Sequence, residues 1–384
     1  MADGTDRDRY GVRENSMRLL IDMGHPGHVH LFKNFIREMR YRGHEVKITA
    51  RDKEITLQLL RRYGFNFVQT GSGKTGNTNL IWEWISRSIE VFKISRKFRP
   101  DILLGVGNPS IAHAAMMLRK PSVIFTDTEH AKFGNRVTFP FASVICTPSC
   151  YCDDIGPKQV RYNGYHELAY LHPNHFIPNP AVLTELDLAE GDPFIIVRFV
   201  SWQASHDVGQ HGLTLDTKRK AIHEFEKYGR VFITSEKPLP DEFENYRISV
   251  SPEKMHDLLY YATLLYGESA TMASECAVLG THAIFCDFAG RGYTDEEERE
   301  YDLVYNFKLD GLSQTESIQK ALELLQDPDL KEKGREKRKR LLSDKVDVTA
   351  FLVWFIVNYP QSFTMMKEHS GVQYSCASIS GDTP

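Results

Sequence analysis

Three histidines fall within six residues in the run Gly24-His25-Pro26-Gly27-His28-Val29-His30, directly after the apolar stretch Leu19-Leu20-Ile21. Imidazole is the side chain that moves a proton near neutral pH. A glycine-bearing turn between a strand and a helix also gathers backbone N–H groups where anionic ligands dock. Together these features imply acid–base chemistry on a small molecule. His28 or His25 is the expected base, and Gly24 and Gly27 allow a ligand close to the backbone. The competing reading is that the histidines only cap the helix.

A second constellation lies at Tyr266-Gly267-Glu268-Ser269-Ala270-Thr271, which reads as a strand end, a small-residue turn and a helix start. Small residues let a phosphate approach the backbone, and the first helical turn offers free N–H groups and a favourable dipole. Ser269 and Thr271 could add hydroxyl donors, and Glu275, about one turn on, is placed to accept from ribose hydroxyls. Taken alone, Glu275 is read equally as an acid favouring the helix dipole. Arg198, with the loop beginning at Ser201, is a phosphate-ligand candidate on the same side.

In the first half, Gly105-Val106-Gly107-Asn108 forms another strand-end turn, and Asp127, Glu129 and His130 follow the next strand. Two carboxylates at the C-terminal edge of a parallel sheet suit acid–base work. Arg136 could orient an anion or form a surface ion pair. Gly71 to Gly76 imitates a phosphate loop, but Val68 stands where the first glycine is required. Asp327-Pro328-Asp329 lies in a polar segment and is not read as a metal motif. The spacing of Cys146, Cys150 and Cys152 fits no paired zinc arrangement, so no metal is expected.

Positioning these groups requires alternating strands and helices. The pattern predicts strands at 18–23, 45–50, 66–69, 101–106, 121–126 and 142–146, with helices at 31–42, 53–63, 80–98 and 110–118. A second series comprises strands at 194–199, 230–234, 247–250, 263–266 and 282–286, and helices at 216–228, 253–261, 271–279 and 315–326. Such alternation makes parallel sheets with crossover helices. The expected organisation is a disordered lead-in (1–16), a first Rossmann-like domain (17–165) and a proline-bearing surface linker (166–192). A second Rossmann-like domain (193–345), an apolar helical piece (346–368) that can pack back on the first domain, and a disordered tail (369–384) follow. Two α/β domains would then face each other across a cleft.

At 384 residues, 41% hydrophobic and with 47 basic against 51 acidic residues, the chain is a soluble-type globular sequence with no charge surplus for nucleic acid. No apolar run reaches the about 20 residues needed to span a bilayer. The N-terminus has no secretory pattern, so a cytoplasmic protein is expected. Helix 80–98 mixes Trp82, Trp84 and Ile85 with Arg87, Lys93, Arg96 and Lys97, which suits either peripheral contact at the inner membrane face or packing on the sheet. The basic stretch 331–340 is interrupted by acids and reads as a solvated helix face.

The order of these motifs resembles GT-B-type nucleotide-sugar enzymes over roughly residues 17 to 360. Gly24 to His30 resembles the first loop of the lipid II N-acetylglucosaminyltransferase family, although His25 and Pro26 interrupt its glycine run. That resemblance implies His28 near the acceptor and Glu275 on the ribose. Asp127, Glu129, Asn135-Arg136 and Glu268-Ser269 are similar to the carboxylate and phosphate regions of the non-hydrolysing UDP-N-acetylglucosamine 2-epimerases, although the opening Gly-Thr-Arg-Pro signature of that family is missing. Gly164-Tyr165-His166-Glu167-Leu168 and Asp344-Lys345-Val346-Asp347 resemble the uncharacterised family named domain of unknown function 354. The expected activity is therefore metal-independent, cofactor-free glycosyl transfer from a nucleoside-diphosphate sugar in surface glycan or glycolipid synthesis. The acceptor is open, lipid-linked among the options. Epimerisation of a sugar nucleotide and non-catalytic sugar-nucleotide binding are the alternatives.

Overall fold

The computed structural model describes residues 16–71, 80–200, 212–235 and 238–375; for 80–83 only the backbone is described. The lead-in to residue 15, the loop 72–79 and the final nine positions lie outside the described residues, as does Ser201 with the loop 201–211.

The first lobe contains β1 (Arg18–Met23), α1 (Pro26–Tyr41), β2 (Glu45–Ala50), α2 (Thr56–Arg62), β3 (Val68–Gln69), α3 (Leu80–Phe98), β4 (Ile102–Val106), α4 (Pro109–Leu118), β5 (Ser122–Phe125), α5 (Lys132–Thr138), β6 (Val144–Pro148) and β7 (Gln159–Tyr162). Short helices α6 (Leu168–Leu171) and α7 (Ala181–Thr184) lead to the second lobe. That lobe holds β8 (Phe194–Phe199), α8 (Leu215–Phe225), β9 (Arg230–Ser235), α9 (Met255–Tyr261), β10 (Leu264–Gly267), α10 (Ala270–Leu279), β11 (His282–Asp287), α11 (Gly292–Arg299), β12 (Val304–Lys308), α12 (Gly311–Leu325) and α13 (Leu330–Asp344). Helices α14 (Val348–Val357) and α15 (Gln361–Glu368) complete the chain's helical elements, followed by a short 3-10 turn at Ser370–Ser375.

Both sheets are parallel. Their strand orders are β3-β2-β1-β4-β5-β6-β7 and β12-β11-β10-β8-β9. The order reverses between β1 and β4 in one lobe and between β8 and β10 in the other, and ligands of open α/β sheets bind outside the strand ends at such switch points. The Gly24–His28 turn and Asn108 lie at the first; Arg198 and Ser269 lie at the second.

Helix α1 begins five residues earlier than expected. His25 Nδ1 accepts the Gly27 N–H at 3.2 Å, and Pro26 starts the first turn with its φ already set. His28 and His30 are consequently helical residues rather than turn residues. Helix α12 also starts early, because Asp310 accepts the Ser313 N–H and caps it. The strand expected at 247–250 reduces to one bridge between Ile233 and Arg247. The structure adds β7, β12, α5 and α11, whose short or charged sequences carry little periodicity.

The first part of the expected surface linker is buried, whereas the proline-bearing stretch 172–181 does lie at the surface. Tyr165 and Leu168 to Leu171 are fully or nearly fully buried. One apolar core runs from the first sheet through this segment and α14 into the second sheet, including Phe32, Tyr170, Phe355, Ile196 and Leu265. Thr349 Oγ1 and Asn34 Nδ2 both donate to the Ala169 carbonyl, at 2.7 and 3.0 Å, joining α14 and α1 to α6. Residues 370–375 are ordered against β7, contrary to the expected disordered tail: Gln373 is buried and accepts the Asn163 N–H at 2.6 Å.

Beneath the β1 turn, the fully buried Asp22 carboxylate accepts from Arg87 Nη2, Asn108 Nδ2 and, at 2.6 Å, Thr49 Oγ1. A buried ion pair broken on one side leaves an uncompensated charge. Asp22→Ala is therefore expected to lower stability by about 3–5 kcal/mol, read as a fall in the urea midpoint, whereas Lys93→Ala on the outer side of α3 leaves the midpoint nearly unchanged.

Candidate functional site

Helices α1 and α10 start at the two switch points, and Tyr170 of α6 and His256 of α9 link their second turns. Glu275 of α10 is enclosed; its Oε1 accepts from Tyr170 Oη at 2.8 Å and from His256 Nε2 at 2.9 Å. His256 packs edge-on against His30 of α1 at 4.6 Å between ring centroids. Burial, then His256 and Lys33, hold the His30 imidazole well below its ordinary pKa, so it is neutral. Burial also pushes the Lys33 ammonium down to about 8. Glu275 is thus part of a polar seam between the connector and the second lobe, with Oε1 already accepting two hydrogen bonds. Its hydrogen-bond partners, at 170 and 256, come from connector and helix positions that carry no motif.

At 1.5 Å per residue, the starts of both helices lie within about 8 Å of this seam. The α10 start consists of Ser269, Ala270 and Thr271, all half-buried, with Ser269 Oγ capping the Met272 N–H at 3.3 Å. Arg198, half-buried at the end of β8, donates to Thr234 Oγ1 at 3.1 Å. Glu268 does different work from the expected ligand role. Its carboxylate accepts the Val200 N–H at 3.0 Å and the Leu213 N–H at 2.6 Å, holding both ends of the intervening loop. Gly267 admits no side chain, because a Cβ there would lie 2.2 Å from the Arg198 carbonyl oxygen.

On the first lobe, His28 Nδ1 accepts the Gly24 N–H at 3.2 Å. A neutral imidazole accepting at Nδ1 carries its proton on Nε2. Burial, then the charges of His25, Lys53 and His166, hold its pKa well below the ordinary value despite Asp127. His28 is therefore a neutral N–H donor in this geometry, not the base its position suggested. His25 is a helix cap, with Glu54 Oε2 3.5 Å from its Nε2. Asn108 is likewise a cap, its amide shared between the Ile111 N–H and Asp22, and it is not free to grip a ligand.

The base-like arrangement is instead Asp127 with His166, a residue that sequence reasoning did not select. Asp127 Oδ2 lies 3.0 Å from His166 Nδ1, and Thr128 Oγ1 donates to Asp127 Oδ1 at 2.9 Å. Burial raises the Asp127 carboxyl, but the His166 charge and the hydrogen bonds of His166 and Thr128 outweigh it and depress the pKa far below the usual range. For His166, burial alone lowers the pKa, and the Asp127 charge and hydrogen bond reverse this to a net rise. His166 Nε2 is buried with no hydrogen-bond partner among the described residues. Beside it, burial and then Asp127 push the Glu167 carboxyl up to about 8. The only early signal for these two was their place in the Gly164–Leu168 motif.

Glu129 accepts the Cys152 N–H at 3.2 Å, and burial holds its carboxyl above the usual value. It faces the other lobe at Gly292, where an added Cβ would come 2.7 Å from Glu129 Oε1 and 2.4 Å from the Cys150 carbonyl. Arg136 is exposed on α5, lining a cavity with Glu129. Cys146 is buried, Cys150 half-buried and Cys152 exposed, and no group of three or more His, Cys, Asp or Glu side chains that could hold a metal occurs among the described residues. No described helix is long and apolar enough to cross a membrane.

Each ionised group of the Asp127–His166 pair stabilises the other. The His166 contribution is complete below its unfolded pKa of about 6.5 and fades as pH rises through its higher folded value; that of Asp127 is complete above about 3.9 and fades as pH falls through its lower folded value. NMR of the His166 Cε1–H is expected to titrate above 6.5 in the native protein. In Asp127→Asn, burial without the compensating charge moves the midpoint below that reference.

Comparison with known proteins agrees with the geometry at the level of fold. An uncharacterized protein of Methanocaldococcus jannaschii (MJ0665) is 26% identical over 282 residues, 69% of this chain and 80% of that protein. Among solved structures, a UDP co-structure of MnaA from S. aureus matches with a TM-score of 0.65 at 11% identity, covering 91% of this chain and 98% of the other. A putative UDP-N-acetylglucosamine 2-epimerase from Listeria monocytogenes matches at 0.61 and 12%, covering 89% and 96%. The spinosyn forosaminyltransferase SpnP also matches at 0.61 and 12%, covering 89% and 100%. The fold is GT-B, and with the profile of the family described as Protein of unknown function (DUF354) matching residues 17–359, the chain belongs to that family.

Proposed function

We propose that this protein is a glycosyltransferase that uses a nucleoside-diphosphate sugar, UDP-linked by analogy with the MnaA complex. The observation that carries this reading is the Asp127–His166 pair, whose imidazole Nδ1 is held at 3.0 Å while Nε2 has no partner among the described residues. A carboxylate on Nδ1 fixes the tautomer that leaves the Nε2 lone pair for a proton, as a hydroxyl nucleophile requires. His166 Nε2 takes the acceptor hydroxyl proton as the acceptor oxygen bonds to the anomeric carbon and the bond to the diphosphate breaks. The N–H groups at the start of α10, the hydroxyls of Ser269 and Thr271, and Arg198 receive the departing charge. His28 Nε2–H serves as a neutral donor to a sugar or acceptor oxygen.

A second reading, epimerisation at C2 of the sugar, is favoured by Glu167. A carboxyl raised to about 8 next in sequence to His166, whose Nδ1 is held by Asp127, places an acid and an imidazole base at one centre.

Incubation with UDP-N-acetylglucosamine in D2O without acceptor separates the two. Transfer predicts slow UDP release to water with no deuterium at C2; deuterium incorporation or C2 inversion establishes epimerisation instead. His166→Ala is expected to reduce turnover at least about 100-fold with UDP affinity retained. Ser269→Ala/Thr271→Ala should weaken UDP binding about tenfold. Absence of UDP binding to the native protein would refute both readings.

A further inference from the structure

We infer that the cavity beside Glu129 is the acceptor subsite, and that it takes a small amphiphilic anion: a hydroxyl-bearing apolar body ending in a phosphate or carboxylate. The inference rests on the transferase reading for its name, and on the cavity itself for its chemistry. The cavity has a volume of about 560 Å³, and its walls are largely apolar, with Ile145, Ile155 and Phe139 contributing. Such a lining holds a ring or short chain by burial.

Its charges are unequal. Lys132 and Arg136, one turn apart on α5 and both exposed, line the cavity and form no ion pair among the described residues. Lys158 adds a third cation, its Nζ anchored on the Pro140 carbonyl at 2.7 Å. Against these stand Asp153 and Glu129, and burial disfavours the charge on Glu129. A ligand head group of negative charge balances the excess, and the guanidinium of Arg136 suits a planar or tetrahedral oxyanion.

A chain of hydrogen bonds joins the cavity wall to the acid–base centre. Asn135, on its wall, donates to the Thr128 carbonyl at 3.2 Å, and it also lies 3.4 Å from Tyr151 Oη. Thr128 in turn hydrogen-bonds Asp127. A ligand in the cavity thus lies against the segment that carries both Asp127 and Glu129, on the side of the first lobe that meets Gly292 of the second.

The test is titration of the full chain with phenyl phosphate, benzoate and benzyl alcohol, followed by ligand-observed NMR with and without saturating UDP. The anions are expected to bind at least about tenfold more tightly than the alcohol. Lys132→Ala/Arg136→Ala should lose about tenfold in anion affinity while UDP affinity is unchanged. Binding of phenyl phosphate alone assigns a phosphate head group, and binding of both anions a general oxyanion site. Equal binding of benzyl alcohol, absence of anion binding, displacement of the anions by UDP, or an unaltered double variant overturns the assignment. Anion binding in a protein that fails to bind UDP would sink the nucleotide-sugar reading and leave the cavity's ligand class standing.

Discussion

The arrangement of the two lobes depends on how one carboxylate is kept out of water. Glu275 is 4% exposed, and a carboxylate so placed must be hydrogen-bonded to remain charged. Its two donors come from different parts of the chain: Tyr170 from the connector that packs with the first lobe, and His256 from the helix preceding β10. Because His256 also packs on His30, satisfying Glu275 sets α1, the connector and α10 in register. Each helix start lies about one turn from this seam.

The same desolvation separates the roles of two nearby histidines. His28 and His166 both lose water, yet one is driven neutral and the other toward its charged form. The difference is the direct carboxylate partner. His28 spends Nδ1 on the Gly24 amide and has positive neighbours, whereas His166 places Nδ1 against Asp127. A histidine-rich turn at a switch point is therefore poor evidence for a base, since helix capping and tautomer choice consume its lone pairs. A single histidine with a carboxylate at its Nδ1 is the stronger assembly.

This contrast also explains how much was legible beforehand. The parallel architecture was readable, because buried strands such as Leu19–Met23 and Phe194–Phe199 are apolar runs with a single charged residue each, Asp22 and Arg198, between helical repeats. The helix starts at Asn108 and Ser269 were close for the same reason, small polar residues standing at strand ends. Start positions failed at α1, where His25 is an unusual cap, and at α12, where the ordinary cap Asp310 stands ahead of the periodic residues. In the site, Glu268, Asn108 and Glu275 were correctly noticed as polar residues near strand ends, but their partners are distant in sequence: Leu213, Asp22 and His256. Only the fold says whether a polar group is free or already satisfied. His166 was missed because the prolines that follow it suggested an exposed linker, whereas the core of α6 buries it.

The location of polar and apolar contacts between the lobes bears on how a substrate gains entry. His166 Nε2 is enclosed, so the proposed chemistry requires the contacts around it to part. Along the cleft, the lobes touch through hydrogen bonds and small residues: Tyr170 of the connector on Glu275, Tyr165 on Glu296, and Gly292 on the Cys150 and Glu129 surface. Such hydrogen bonds exchange for water at about 0.5–1.5 kcal/mol each. At the back, α14 and α6 bury Phe351, Phe355 and Leu171 in the core common to both lobes, and exposing that surface costs about 25 cal/mol per Å². The less costly motion leaves the apolar side together and opens the polar side.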